Sequence, residues 1–284
     1  MIRMISAILF SGVLALCAQH ANSGEAAKRR SAEDQLLKAI RDGDLEDVEI
    51  IAATLDLNQV VNLPYHALAS PNADVVEFLR DKCDFNISDL QIAAIRGDVM
   101  RIRFLLARLD DKSKAEAMAK GYLPSISSHS PLSLAVQNRH ANAVRLLIEQ
   151  GANVNEATHY TLTPLANAAE LGHVEIVKFL LEAGVKINQA PDGKTALMMA
   201  CWGRQPKTAQ LLLEVGADPN LKRHDGQRAL HFAAKRGNAE CVTLLLKHGA
   251  DIDAVANGKN TALTYAELYK YEDVIAILRK AKPK

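Results

Sequence analysis

The sequence predicts an all-α solenoid of about seven to eight helix-turn-helix units with short β-hairpin or turn tips. Two observations carry that fold class. Independent columns of residues recur with one period, and each period holds two helix-length apolar patterns separated by turn signals. Leu132, Leu165, Leu197, Leu230 and Leu263 are separated by 33, 32, 33 and 33 residues. Ala135, Ala168, Ala200, Ala233 and Ala266 keep the same steps. So do Gly151, Gly184, Gly216 and Gly249, and the series Asn155, Asn188, Asn220, Asp253.

Each element of a unit follows from its residues. Ser130-Pro131 and Thr163-Pro164 set a hydroxyl N-cap before a proline at the first helical position. The Leu-x-x-Ala spacing puts both side chains on one helix face, and the small Ala lets neighbouring helices approach. Residues 174–181 then read as a second helix, apolar on one side. Gly184 ends it at the position where a positive φ is needed. Residues 216–220 and 249–253 lead through a turn into the next unit.

The segments TPLANAAELGHVEIVKFLLEAGVKIN (163–188) and RALHFAAKRGNAECVTLLLKHGADID (228–253) resemble the ankyrin repeat. The match is close from 129 to 284 and weaker before it. LPYHALASPNADVVEFLRDKCDFN (63–86) and SDLQIAAIRGDVMRIRFLLARLD (88–110) are similar to degenerate copies, and DQLLKAIRDGDLEDVEII (34–51) to a polar N-terminal cap. The expected organisation is an ankyrin-repeat domain over 33–284. It comprises degenerate repeats (33–110), an insertion (111–129), regular repeats (130–257) and a C-terminal capping repeat (258–284). Within the insertion, 112–120 suits a helix and 121–130 a loop.

Ahead of that domain, Arg3, the apolar run 5–16 and the polar stretch 19–23 have the layout of a secretory signal peptide, with cleavage expected after Ser23 and Ala18 or Ala21 as alternatives. Residues 24–32 then form a polar linker. The expected location is a bacterial periplasm, without membrane insertion after cleavage. The alternative is a lipoprotein anchored at Cys17, although Leu16 departs from a lipoprotein box.

Composition excludes several function classes. Lys plus Arg total 34 and Asp plus Glu 33, so a net charge of +1 gives no general pull toward nucleic acid. Four Cys (17, 83, 201 and 241) are too few for a disulfide scaffold. Cys201 and Cys241 fall in helices of adjacent units, where buried thiols and a disulfide are both open readings. No nucleophile elbow, phosphate loop or dinucleotide fingerprint is present. His173 has no second His four residues along to complete a zinc pair. Neither a catalytic residue nor a metal or cofactor is therefore expected. Ser125, Ser127, Ser128 and His129 are the only residues on which a hydrolase reading could rest. The resemblance implies that His231, and similarly His66, bridges loops by hydrogen bonds. His248, before Gly249, suits the carbonyls ending a helix.

What remains is a surface. Carried over unit by unit, the resemblance nominates a concave groove of turn tips and first-helix ends. The tips are His159, Tyr160, Asp192, Lys194, His224, Asp225, Gln227 and Arg228; the helix ends are Gln137, Asn138, Glu170, Trp202, Lys235, Arg236 and Tyr269. Lys222, Arg223, His224 and Arg228 form a small basic tip. Trp, Tyr and Arg dominate interface energies, and Trp202 is the single Trp in the chain. The partner expected for a monomer of this kind is another protein, an exported or periplasmic enzyme. The most concrete version is docking inhibition of a cell-wall hydrolase for self-protection. Support of a peroxide-removing stress enzyme and a secreted effector binding a host protein are the alternatives.

Overall fold

The computed structural model describes residues 23–57, 60, 63–68, 70, 72–83, 88–119, 130–157, 162–256 and 258–282. The apolar N-terminal run, Ser125, Ser127, Ser128 and His129 of the insertion, and the tip residues His159 and Tyr160 lie outside them. The chain divides into two compact units, residues 1–85 and 86–284.

The first unit holds α1 (Ser23–Asp42), α2 (Leu45–Ala52), α3 (Leu63–Leu68) and α4 (Ala73–Lys82). Helix α1 runs through 24–32, where the sequence suggests a linker. Asp44 starts α2 by accepting the Asp47 N–H at 3.1 Å, and Asn72 starts α4 by accepting the Asp74 N–H at 2.9 Å. The Asn72 amide also donates to the Gly43 carbonyl at 2.9 Å, tying α4 to the α1–α2 turn. Leu36, Ile40, Val48, Leu63, Val75 and Leu79 close this unit's core.

The second unit is two layers of helices. The first-helix layer is α5 (Asp89–Arg96), α8 (Pro131–Gln137), α10 (Pro164–Leu171), α12 (Ala196–Trp202), α14 (Ala229–Lys235) and α16 (Ala262–Leu268). The second-helix layer is α6 (Val99–Ala107), α9 (Ala141–Glu149), α11 (Val174–Glu182), α13 (Pro206–Glu214), α15 (Ala239–Lys247) and α17 (Glu272–Ala281). Consecutive helices touch within each layer. Helix α7 (Asp111–Ala119) is the helical part of the insertion and packs on α8. Among the described residues the tips are turns, with a single β-bridge between Ala256 and Asn260.

The repeating columns account for this architecture. The Leu column (132, 165, 197, 230) and the Ala column (135, 168, 200, 233, 266) are buried between first helices. Leu263 is half-buried, because no further unit covers it among the described residues. Second helices are one-sided: α11 buries Ile176, Val177 and Leu180 and exposes Glu175 and Lys178. At its end, Gly184 takes φ 75°, its N–H bonds the Leu181 carbonyl, and the Val185 N–H bonds the Leu180 carbonyl. The hydroxyl caps form as the sequence indicates, Ser130 accepting from the Ser133 N–H and Thr163 from the Ala166 N–H, both at 3.2 Å.

The Asn column stitches each turn to its successor. Asn155 accepts the Lys186 N–H at 2.8 Å, Asn188 the Asp218 N–H at 3.0 Å and Asn220 the Asp251 N–H at 2.9 Å. Asn220 also donates to the Gly249 carbonyl at 2.9 Å. Replacing Asn220 with Ala should therefore cost about 1–2 kcal/mol, read from the urea midpoint, because two backbone groups lose their partner. An unchanged midpoint would show that water replaces both bonds at no cost.

The turn after each first helix needs a positive φ, and its occupant alternates. Gly97, Gly172 and Gly237 share it with Arg139, Arg204 and Lys270, which take φ 62°, 57° and 59°. A Cβ at Gly172 would lie 2.3 Å from the Gln205 side chain, so the following unit closes over the glycine. Where the residue is basic, strain of about 1–2 kcal/mol is accepted. A cation there also faces the negative end of the helix dipole.

Candidate protein-binding face

The last turns of the first helices are where this layer reaches solvent. Trp202 ends α12 and is 36% exposed. Its ring stands edge-on to Phe232 of α14, with centroids 6.0 Å apart at 80°. The Arg236 guanidinium, from the next unit, lies 4.7 Å above the indole, and its Nε donates to the Trp202 carbonyl at 3.0 Å. Beside it, the Lys235 ammonium sits 4.3 Å over the Tyr265 ring and donates to Gln227 Oε1 at 2.7 Å. Two cations are thus held by aromatic rings and neutral acceptors on a rigid helical layer.

Glu170, at the equivalent end of α10, is half-buried. Burial pushes its carboxyl above the usual glutamate value, against the opposing pull of Lys194 and Arg236. Apolar surface accompanies these charges: Leu171, Leu268 and Tyr269 are exposed at neighbouring helix ends, and Tyr269 lies 6.2 Å from Tyr271. Leu268 occupies the column of Trp202 and Lys235, so the repeat register could have nominated it. Gln137 and Asn138 are half-buried on α8, and the Asn138 amide donates to the Leu134 carbonyl at 3.0 Å.

The tips divide differently. Lys222 and His224 face solvent, but Arg223 lies 3.9 Å from Asp225. Arg228 spans to Asp251 of the next unit at 2.7 Å, and Lys194 to Asp192 at 3.4 Å. Gln227, expected at an exposed tip, is buried. It is 5% exposed, because its amide donates to Asp225 while its oxygen receives Lys235. Half of the basic tip is therefore answered, Arg223 by a carboxylate of its own turn and Arg228 by one of the next unit.

His231, His248 and His140 serve the frame. His231 is fully buried; its Nδ1 accepts the Arg228 N–H at 3.1 Å, which leaves Nε2 to donate to the Ala254 carbonyl at 3.0 Å. His248 Nδ1 meets the Leu244 carbonyl at 2.9 Å, as its place before Gly249 suggests. His140 Nε2 bridges to the Ile95 carbonyl of the preceding unit at 2.7 Å. Cys201 and Cys241 are free, fully buried and hydrogen-bonded to each other; that bond and burial push the Cys201 thiol up. Among the described residues, no group of His, Cys, Asp and Glu is placed to hold a metal ion, and no helix is long and apolar enough to cross a membrane.

Burial lowers the affinity of His66, His173 and His231 for a proton below their ordinary value of 6.5. Protons then bind the unfolded chain more readily, so this contribution is present above pH 6.5 and is lost as pH falls through the lowered values. Glu156 and Glu170, raised by burial, act in the opposite sense at lower pH. Stability measured by denaturant titration should therefore decline from about pH 7 to about pH 5.5. A rise over that range would show the two carboxyls dominating.

A hollow of about 470 Å³ lies on the second-helix layer, between Pro206 and Gln210 of α13, Ala239 and Leu244 of α15 and Ile277 of α17. None of the nominated residues lines it.

A family model described as "Ankyrin repeats (3 copies)" matches residues 63–158, 90–190, 132–223 and 197–284. The chain is 34% identical over 199 residues, 67% of its length, to the human transient receptor potential cation channel subfamily A member 1. It is 43% identical over 67 residues to the mouse B-cell lymphoma 3 protein homolog, and 38% over 64 residues to mouse NF-kappa-B inhibitor delta, 22% of the chain in each case. These alignments span 14%, 15% and 20% of the respective relatives. Ankyrin repeats are in general a non-catalytic protein-interaction fold, and they mark this chain as a protein-binding module. Repeat columns, paired helical layers and family match agree: the chain belongs to the ankyrin-repeat family.

Proposed function

We propose that this chain is an exported binding protein which docks on an exported or periplasmic enzyme through its first-helix face and performs no catalysis itself. In its most concrete form it holds a cell-wall hydrolase inactive and so protects the cell that makes it. The observation that carries the reading is the Trp202–Arg236 and Lys235–Tyr265 arrangement, an aromatic and cationic patch fixed on rigid helices. Export rests on Arg3, the apolar run 5–16 and the small residues Ala21 and Ser23 at −3 and −1 of the expected cleavage. One relative is named as an inhibitor, which is the mode of action proposed here.

Affinity capture from an envelope fraction, with residues 24–284 as bait and Trp202→Ala/Lys235→Ala as paired control, tests this reading. Recovery by the wild type alone of a hydrolase that loses activity on titration supports it. An antioxidant enzyme in its place would replace inhibition by support. Nothing above background would contradict docking in this compartment.

A further inference from the structure

We infer that the segment seated on this face is acidic: an extended stretch of a partner protein in which Asp or Glu alternates with apolar residues, one carboxylate being taken by Arg236 and another by Lys235. The inference rests on the first-helix face being the docking surface.

The argument lies in how the cations are held. Arg228, Arg279, Lys282 and Lys194 each meet a carboxylate, at 2.7, 2.8, 3.1 and 3.4 Å. Arg236 and Lys235 form no ion pair among the described residues. Arg236 is nevertheless fixed, its Nε spent on the Trp202 carbonyl and its guanidinium carbon 4.7 Å from the centre of the indole. Its two terminal amino groups carry no hydrogen bond to another described residue, so a planar fork is displayed in the geometry that grips a carboxylate with two parallel bonds. Lys235 is likewise oriented by a ring and an amide oxygen, with donors left over. Holding these cations in place in advance removes much of the side-chain entropy that binding would otherwise cost.

Glu170 lies close enough to feel Arg236 and Lys194, and burial pushes its carboxyl above the usual glutamate value. With neither Arg236 nor Lys235 in an ion pair among the described residues, opposite charge on the partner complements both. Around it, Trp202, Leu171, Leu268 and Tyr269 are 36%, 42%, 67% and 50% exposed, which suits apolar residues between the acidic ones. Single-stranded nucleic acid fits less well. It needs a continuous basic groove and successive stacking rings, whereas the chain's net charge is +1 and it has a single Trp.

That single Trp makes the test direct, because all indole fluorescence comes from the site. The chain is titrated with a short acetylated peptide of alternating Glu and Leu, with its Lys and Leu counterpart, and with a short oligothymidine. The expected result is a saturable change with the acidic peptide alone. It should weaken as salt is raised, and weaken about tenfold or more in Arg236→Ala. Circular dichroism checks that variant's fold, and Lys235→Gln, which leaves the Arg236 cap intact, gives a second, independent loss. No saturable change, an equal response to the basic peptide, tighter binding of oligothymidine, or undiminished binding by both variants would each overturn the inference. If capture in the envelope experiment depends on Trp202 while the acidic peptide does not bind, the acidic segment is wrong and the docking face stands. If the peptide binds and capture fails, the site's chemistry stands and the compartment is wrong.

Discussion

Replacing His231 with Ala should destabilise the second unit by about 3 kcal/mol or more, the largest single effect expected in this chain. The imidazole is fully buried and answers two backbone groups, the Arg228 N–H and the Ala254 carbonyl. Removing it orphans both, at about 1–3 kcal/mol each. It also opens a void against Tyr265, whose ring stands edge-on to it at 6.0 Å. The loss extends to the binding face, since Tyr265 supports the Lys235 ammonium. Guanidinium unfolding checks the stability term, and a loss below about 1 kcal/mol would mean that water reaches the site and satisfies both groups.

The second large effect is at Gly203. Its φ of −71° suits any residue, and on backbone entropy alone Ala would stabilise by about 0.4–1 kcal/mol. Sterics reverse the sign. A Cβ there would lie 1.9 Å from the Glu170 carbonyl oxygen, a backbone atom that cannot swing aside. Gly203 is what lets the end of α12 approach the end of α10 so closely. Gly203→Ala should cost about 1–3 kcal/mol and displace Trp202, its chain neighbour. Thermal unfolding and the indole emission report the two consequences together. A stabilised variant with unchanged emission would show that the contact relaxes freely.

The regular half of the fold was legible because a solenoid writes its contacts into a period. A Leu or Ala that recurs every 33 residues or so faces the same neighbour each time, and a hydroxyl before Pro starts α8 and α10 for a local reason. The candidate site was legible in part. Trp202, Lys235 and Arg236 could be placed on helix ends from one unit's pattern. Their partnership could not, since the indole, the Arg236 cap and the ring under Lys235 come from successive units. The same limit explains Gln227, which looks like an exposed tip residue until Lys235 and Asp225 fold over it. Tip charges such as Arg228 also lost their freedom to carboxylates a whole unit away. Leu268 was missed because an apolar residue at a helix end reads as core unless its column is followed across units.

The measurement that bears most directly on the docking face is the affinity of a captured partner for three proteins: wild type, Trp202→Ala/Arg236→Ala, and Lys207→Ala/Gln210→Ala on the second-helix layer. The account predicts about hundredfold weaker binding by the first double variant, as expected for two adjoining anchor residues, and unchanged binding by the second. Equal affinity of all three, or a loss confined to the Lys207/Gln210 variant, would contradict it.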